Sequence, residues 1–125
     1  MVSGASLRLW APAVLMAAII FAFSSVPSLG TGLGTWDLVL RKLAHLSEYA
    51  VLGALLQRAL ARPRLAILIG GIYAATDEIH QHFVRGRHAA WYDWVIDTVG
   101  VTIGVVLLSR SRWDRATGAQ HPTRS

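Results

Sequence analysis

The sequence predicts an all-α fold, an integral membrane bundle of four transmembrane helices with both termini in the cytoplasm. Three observations carry that expectation. The 125 residues are 54% hydrophobic and only 15% charged; the apolar residues run in blocks rather than amphipathic stripes; and the basic residues concentrate on alternate connections. A chain of this length has room for one domain, expected over residues 1–112, with a polar cytoplasmic tail over 113–125 that is expected to be disordered.

Each apolar block approaches the roughly 20 residues that cross a hydrocarbon core of about 30 Å. The first runs from Leu9 to Val26. Arg8 before it and Ser24 and Ser25 after it also fit a signal peptide, but the run exceeds the roughly 7 to 15 residues of a signal core, so it is read as helix one. Pro27 to Thr35, with its glycines, makes an outer loop. The second block, Lys42 to Leu60, ends at a tight inner turn, Ala61 to Arg64, around Pro63. The third, Leu65 to His82, leads through an outer loop, Arg85 to Ala90, into the fourth, Tyr92 to Ser109.

Orientation follows from the twelve basic residues. Arg8, Arg58, Arg62, Arg64, Arg110, Arg112, Arg115 and Arg124 fall on one side, and Arg41, Lys42, Arg85 and Arg87 on the other. The positive-inside rule places the richer side in the cytoplasm. Trp10 and Trp113 then fall at the inner surface and Trp36, Trp91 and Trp94 at the outer one, where interfacial aromatics belong. The net charge of +5 is a topological signal and implies no nucleic acid, since no basic helix or RNA-binding motif accompanies it. The absence of cysteine removes disulfides, thiolate metal sites and cysteine nucleophiles.

Five of the seven acidic residues, Glu48, Asp77, Glu78, Asp93 and Asp97, sit within or at the rim of these blocks. An ionisable group at membrane depth is costly unless paired or facing a polar cavity, so such a group marks a functional site by default. The topology carries Lys42, His45, Glu48 and Tyr49 on helix two, Asp77, Glu78, His80, Gln81 and His82 on helix three, and Asp93 and Asp97 on helix four toward the outer half. His45 with Glu48, Asp77 with Gln81, Glu78 with His82 and Asp93 with Asp97 are spaced to share a helix face. The inner halves carry almost no charge, which disfavours an ion or proton path across the membrane.

The runs Arg41-Lys42-Leu43-Ala44-His45-Leu46-Ser47-Glu48-Tyr49-Ala50-Val51-Leu52-Gly53 and Tyr73-Ala74-Ala75-Thr76-Asp77-Glu78-Ile79-His80-Gln81-His82-Phe83 are followed by Gly86-Arg87, Asp93-x-x-x-Asp97 and Gly100-x-x-x-Gly104. In order and spacing they resemble the VanZ-like membrane proteins, over Leu38 to Leu108. Arg85 stands where that family often has proline. The resemblance implies a multi-pass protein of the bacterial cytoplasmic membrane, a role in the cell envelope, and an association with teicoplanin-type glycopeptide resistance. It carries over Lys42, His45, Glu48, Asp77, Glu78, Gln81, Arg87, Asp93 and Asp97 as the family's polar set.

Three roles suit those residues. As interhelical glue, Lys42 or Arg87 would pair with Asp93 and Gln81 would bond across helices, at ~0.6 to 2 kcal/mol per contact. As a binding site, Lys42, His45, Gln81 and Arg87 would hold an anionic lipid or a peptidoglycan or teichoic-acid precursor headgroup, guanidinium being a planar fork for phosphate. As a membrane-embedded enzyme acting on a lipid-linked phosphate, His45, Glu48, Asp77, Glu78, Asp93 and Asp97 would supply acids and bases. Asp77, Glu78, Asp93 and Asp97 would then hold a divalent cation, Mg²⁺, Mn²⁺ or Ca²⁺ suiting an oxygen-rich set. The motifs of a zincin, a serine hydrolase or a phosphate-cradling loop are not present. Gly100 and Gly104 read as a surface for close helix approach, His80 and His88 as surface or interface histidines, and oligomerisation is left open.

Overall fold

The computed structural model describes the backbone of residues 4–25, 35–83 and 91–118, and their side chains except at 35–38, 113, 114 and 116–118. Four α-helices, α1 (Gly4–Ser24), α2 (Thr35–Leu60), α3 (Pro63–His82) and α4 (Trp91–Gly118), make up this part of the chain, and no strand occurs among the described residues. The four helices fall where the four apolar blocks predict them. The bounds differ at several ends: α1 begins at Gly4 ahead of Leu9 and α3 at Pro63 ahead of Leu65, and the departures at α2 and α4 are larger. α2 begins ahead of Lys42, because a helical backbone satisfies its own hydrogen bonds whether or not its side chains are apolar. α4 continues past Arg112 to Gly118, so the start of the expected disordered tail is helical; Arg115 and Ala116 are helix-favouring and nothing before Gly118 breaks the backbone ladder. Residues 119–125 lie outside the described part.

The turn at Ala61 and Arg62 explains how α2 reverses into α3. Ala61 adopts the left-handed conformation (φ 53°) and its N–H donates to Gln57 O at 2.8 Å, closing α2. Arg62 is extended, and Pro63 opens α3 at a position where its fixed φ is already helical and its missing N–H has no helical partner to lose.

α2 packs against each of the other three helices, α3 touches all three as well, and α1 and α4 lie on opposite flanks with no contact between them among the described residues. The α2–α4 contact is the closest. A Cβ at Gly104 would fall on the backbone of Ala50 and Ala54, one at Gly53 on the backbone of Val101, and one at Gly100 on Leu46 O. Gly100 and Gly104 therefore do serve close helix approach, and Gly53 supplies the matching gap on α2. Tyr49, Leu52, Leu56, Val101 and Val105 fill the core beside this seam, with Ile20 and Ala13 reaching in from α1.

α1 and residues Trp91–Arg112 of α4 are each long and apolar enough to cross a membrane. Their large apolar side chains point outward, among them Leu7, Val14, Leu15, Phe21 and Phe23 on α1 and Val95, Val99, Ile103 and Leu107 on α4. An exterior of this kind is matched to lipid rather than water. α2 and α3 do not reach that standard, because Arg41, Lys42, Glu48 and Arg58 on one and Arg64, Asp77 and Glu78 on the other interrupt their apolar runs. α1 is an integral member of the bundle: Ile20 and Ser24 are fully buried, and Tyr73 Oη donates to Ala17 O.

Candidate functional site

The polar residues collect at one end of the bundle, where the C-terminal ends of α1 and α3 meet the N-terminal halves of α2 and α4. Asp77 is at the centre, 2% exposed. Its Oδ2 accepts from Tyr49 Oη at 2.8 Å, from Ser24 Oγ at 3.0 Å and from Gln81 Nε2 at 3.3 Å. Gln81 also donates to Ser24 Oγ at 3.2 Å. One carboxylate oxygen thus ties together α1, α2 and α3. Each donor is neutral, so these hydrogen bonds bring Asp77 no compensating positive charge. Asp77 Oδ1 is buried and has no hydrogen-bond partner among the described residues.

α4 contributes Asp97, which is 3% exposed. Its Oδ1 lies 3.8 Å from His45 Nδ1, beyond hydrogen-bonding distance. The His45 ring runs nearly parallel to that of Tyr49, with centroids 6.3 Å apart, so Tyr49 orients Asp77 through its hydroxyl and borders His45 through its face. One nitrogen of His45 and one oxygen each from Asp77 and Asp97 lie within 4.8 Å of one another. Glu48, Glu78 and Asp93 are all within electrostatic reach of Asp97, so the five carboxylates singled out in the sequence share one locality.

The rim is built differently. Lys42 Nζ donates to Asp93 Oδ1 at 3.3 Å and stands 4.6 Å above the Tyr92 ring, with both charged side chains about one-third exposed. A partly solvated pair such as this gives little stability but holds the ammonium in place at the rim of the cluster. Between α1 and α3, Phe21 stacks on His80 at 4.3 Å and Ser25 Oγ lies 2.9 Å from His80 Nε2, so His80 is an interface histidine that docks α1 on α3.

The expected helical pair Asp77–Gln81 forms, and so does the expected Lys42–Asp93 pair across helices. His45, Asp77 and Asp97 each bring one ligand-type atom to within 4.8 Å of the others, a set that shares Asp77 and Asp97 with the expected carboxylates, while Asp93 pairs with Lys42. Glu48 and Glu78 are half-buried and His82 is exposed. Arg85, Arg87 and His88 lie outside the described residues. Ser24 and Tyr49 had no assigned role in the sequence, yet both bond Asp77. A hydroxyl at the end of an apolar helix was the available signal, and nothing local indicates which carboxylate it meets.

An all-helical bundle with two membrane-length helices on its flanks and a buried polar cluster at one end defines a helical protein suited to the membrane. The chain belongs to the VanZ/LLP1 family, whose sequence model matches residues 9–112. That range takes in all the residues of the cluster. No curated protein and no solved structure matches the chain.

Proposed function

We propose that this VanZ-like chain crosses the bacterial cytoplasmic membrane four times with both termini inside, and that its polar end faces outward to recognise an anionic lipid or envelope-precursor headgroup. The observation that carries the reading is the gathering of Lys42, His45 and five carboxylates at one end of an otherwise apolar bundle. Charged groups so placed are retained for what they contact. Lys42, held by Asp93 and Tyr92, is the rim cation for a phosphate, and Arg87 is the second cation the sequence offers; His45 and Gln81 would meet the headgroup's polar atoms. A groove of about 370 Å³ runs along α4 past Trp94, Val95, Thr98, Val99, Thr102 and Ile103. Thr98 and Thr102 turn their hydroxyls back to Trp94 O and Thr98 O at 2.8 Å, which leaves the groove wall apolar and suited to an acyl chain. A contribution to teicoplanin-type glycopeptide resistance belongs to the same reading, because the precursor headgroups concerned lie at that outer surface.

Native mass spectrometry of detergent-purified protein tests the ligand. The wild type should retain an anionic lipid that Arg87→Ala, at equal folded yield, loses; a wild type that emerges bare after reconstitution with phosphatidylglycerol would overturn the reading. Single cysteines test the orientation, since the chain has none of its own. An impermeant thiol reagent applied to intact cells should label His88→Cys and spare Arg62→Cys. Labelling of Arg62→Cys alone would reverse the sidedness.

A further inference from the structure

Two buried carboxylates in a medium of low dielectric need either protons or a compensating cation. Asp77 and Asp97 are the most buried acids among the described residues, and one oxygen from each lies within 4.8 Å of the other and of a His45 ring nitrogen. We infer that His45, Asp77 and Asp97 form a binding site for one divalent first-row cation of the Mn²⁺ or Zn²⁺ type. The inference rests on reading this polar cluster as a ligand site and names an ion for it that the headgroup reading does not require.

Four features favour a cation over a bare acidic cluster. The first is the free oxygen. Oδ2 of Asp77 already accepts three hydrogen bonds, and Oδ1 is buried without a hydrogen-bond partner among the described residues, so the carboxylate has unused acceptor capacity in a buried place. The second is spacing. Ligand atoms about 2.1 Å from one ion lie about 3.0 to 3.4 Å from each other. The 3.8 Å between His45 Nδ1 and Asp97 Oδ1 is too long for a hydrogen bond and within a small side-chain adjustment of that range.

The third is support behind the ligands. Metal sites depend on partners that orient the ligands, and here Ser24, Tyr49 and Gln81 hold Asp77 from three directions while Tyr49 also borders His45. The fourth is charge. Two carboxylates and a neutral imidazole balance a doubly charged ion, so the filled site is electrically neutral inside the bundle. A single imidazole with two carboxylates suits Mn²⁺ or Zn²⁺ better than Ca²⁺ or Mg²⁺, which favour all-oxygen ligand sets. Three protein ligands leave coordination positions for water or for a phosphate oxygen entering past Lys42.

The test is a titration of detergent-purified, delipidated and chelator-stripped full-length protein with Mn²⁺, following the loss of the free-ion electron paramagnetic resonance signal. One Mn²⁺ per chain should bind, Zn²⁺ should displace it, and the ion should raise the melting temperature. Asp97→Asn, which conserves volume, should weaken binding at least 100-fold and abolish the thermal shift. His45→Gln should do the same and serves if Asp97→Asn does not fold. Folded wild type that binds no Mn²⁺ or Zn²⁺ would overturn the site, as would binding that both variants retain. Because this measurement uses lipid-free protein and the headgroup reading is tested by lipid retention, either can fail while the other stands.

Discussion

Gly104→Val should leave little folded protein in detergent, and Gly104→Ala should lower stability by about 1–3 kcal/mol, the usual range for forcing extra volume into a packed core. The reason is the identity of the atoms opposite Gly104. A Cβ there meets the backbone of Ala50 and Ala54, which cannot rotate away as a side chain would, so α2 and α4 must separate. Separation would also pull Asp97 from His45 and Asp93 from Lys42, because the same two helices carry all four residues. Gly71→Ala is the control. A Cβ at Gly71 would meet only the Thr98 side chain at an ordinary 3.7 Å, and alanine is intrinsically the better helix former by up to about 1 kcal/mol. Thermal unfolding of the purified variants should rank Gly104→Val lowest, then Gly104→Ala, with Gly71→Ala at or above the wild type. Equal melting of Gly104→Ala and wild type would mean that the α2–α4 seam is looser than the structure has it.

Asp77→Ala should be destabilising by about 3 kcal/mol, since it strands the donors of Ser24, Tyr49 and Gln81 in a buried site and each unsatisfied group costs about 1–3 kcal/mol before partial re-pairing. Gln81 already reaches Ser24 and can keep that one bond. Asp77→Asn retains an acceptor oxygen of the same shape and should lose far less. Tyr49→Phe removes one donor while keeping the ring that fills the core, so about 1 kcal/mol is expected. Chemical denaturation in a fixed detergent, with the four proteins compared side by side, reads these differences directly. If the alanine and asparagine variants prove equally stable, the three hydrogen bonds are not what holds α1 to α2 and α3. The comparison also separates folding from binding, because Asp77→Asn is expected to fold yet hold a cation more weakly than the wild type.

Much of this was legible in the chain itself. Four apolar blocks of membrane length placed four helices; Pro63 after a short polar stretch placed the α2–α3 turn; and the spacing of Gly100 and Gly104 marked a close helix contact. The acids and basic residues of the site were visible because charge inside an apolar block is conspicuous, and the i, i+4 spacing of Asp77 and Gln81 put on one helix face two residues that do bond. These features are local: hydrophobic length, helical period and turn chemistry depend on residues near one another in the sequence. What only the tertiary structure decided is which helix each polar residue faces. Asp77 meets Ser24 and Tyr49, residues 53 and 28 positions away, and Asp97 meets His45. Those pairings follow from the rotation of each helix about its axis and the depth at which neighbours cross. Here the glycine gaps of Gly53 and Gly104 set that depth for α2 and α4, and a period of 3.6 residues does not encode it.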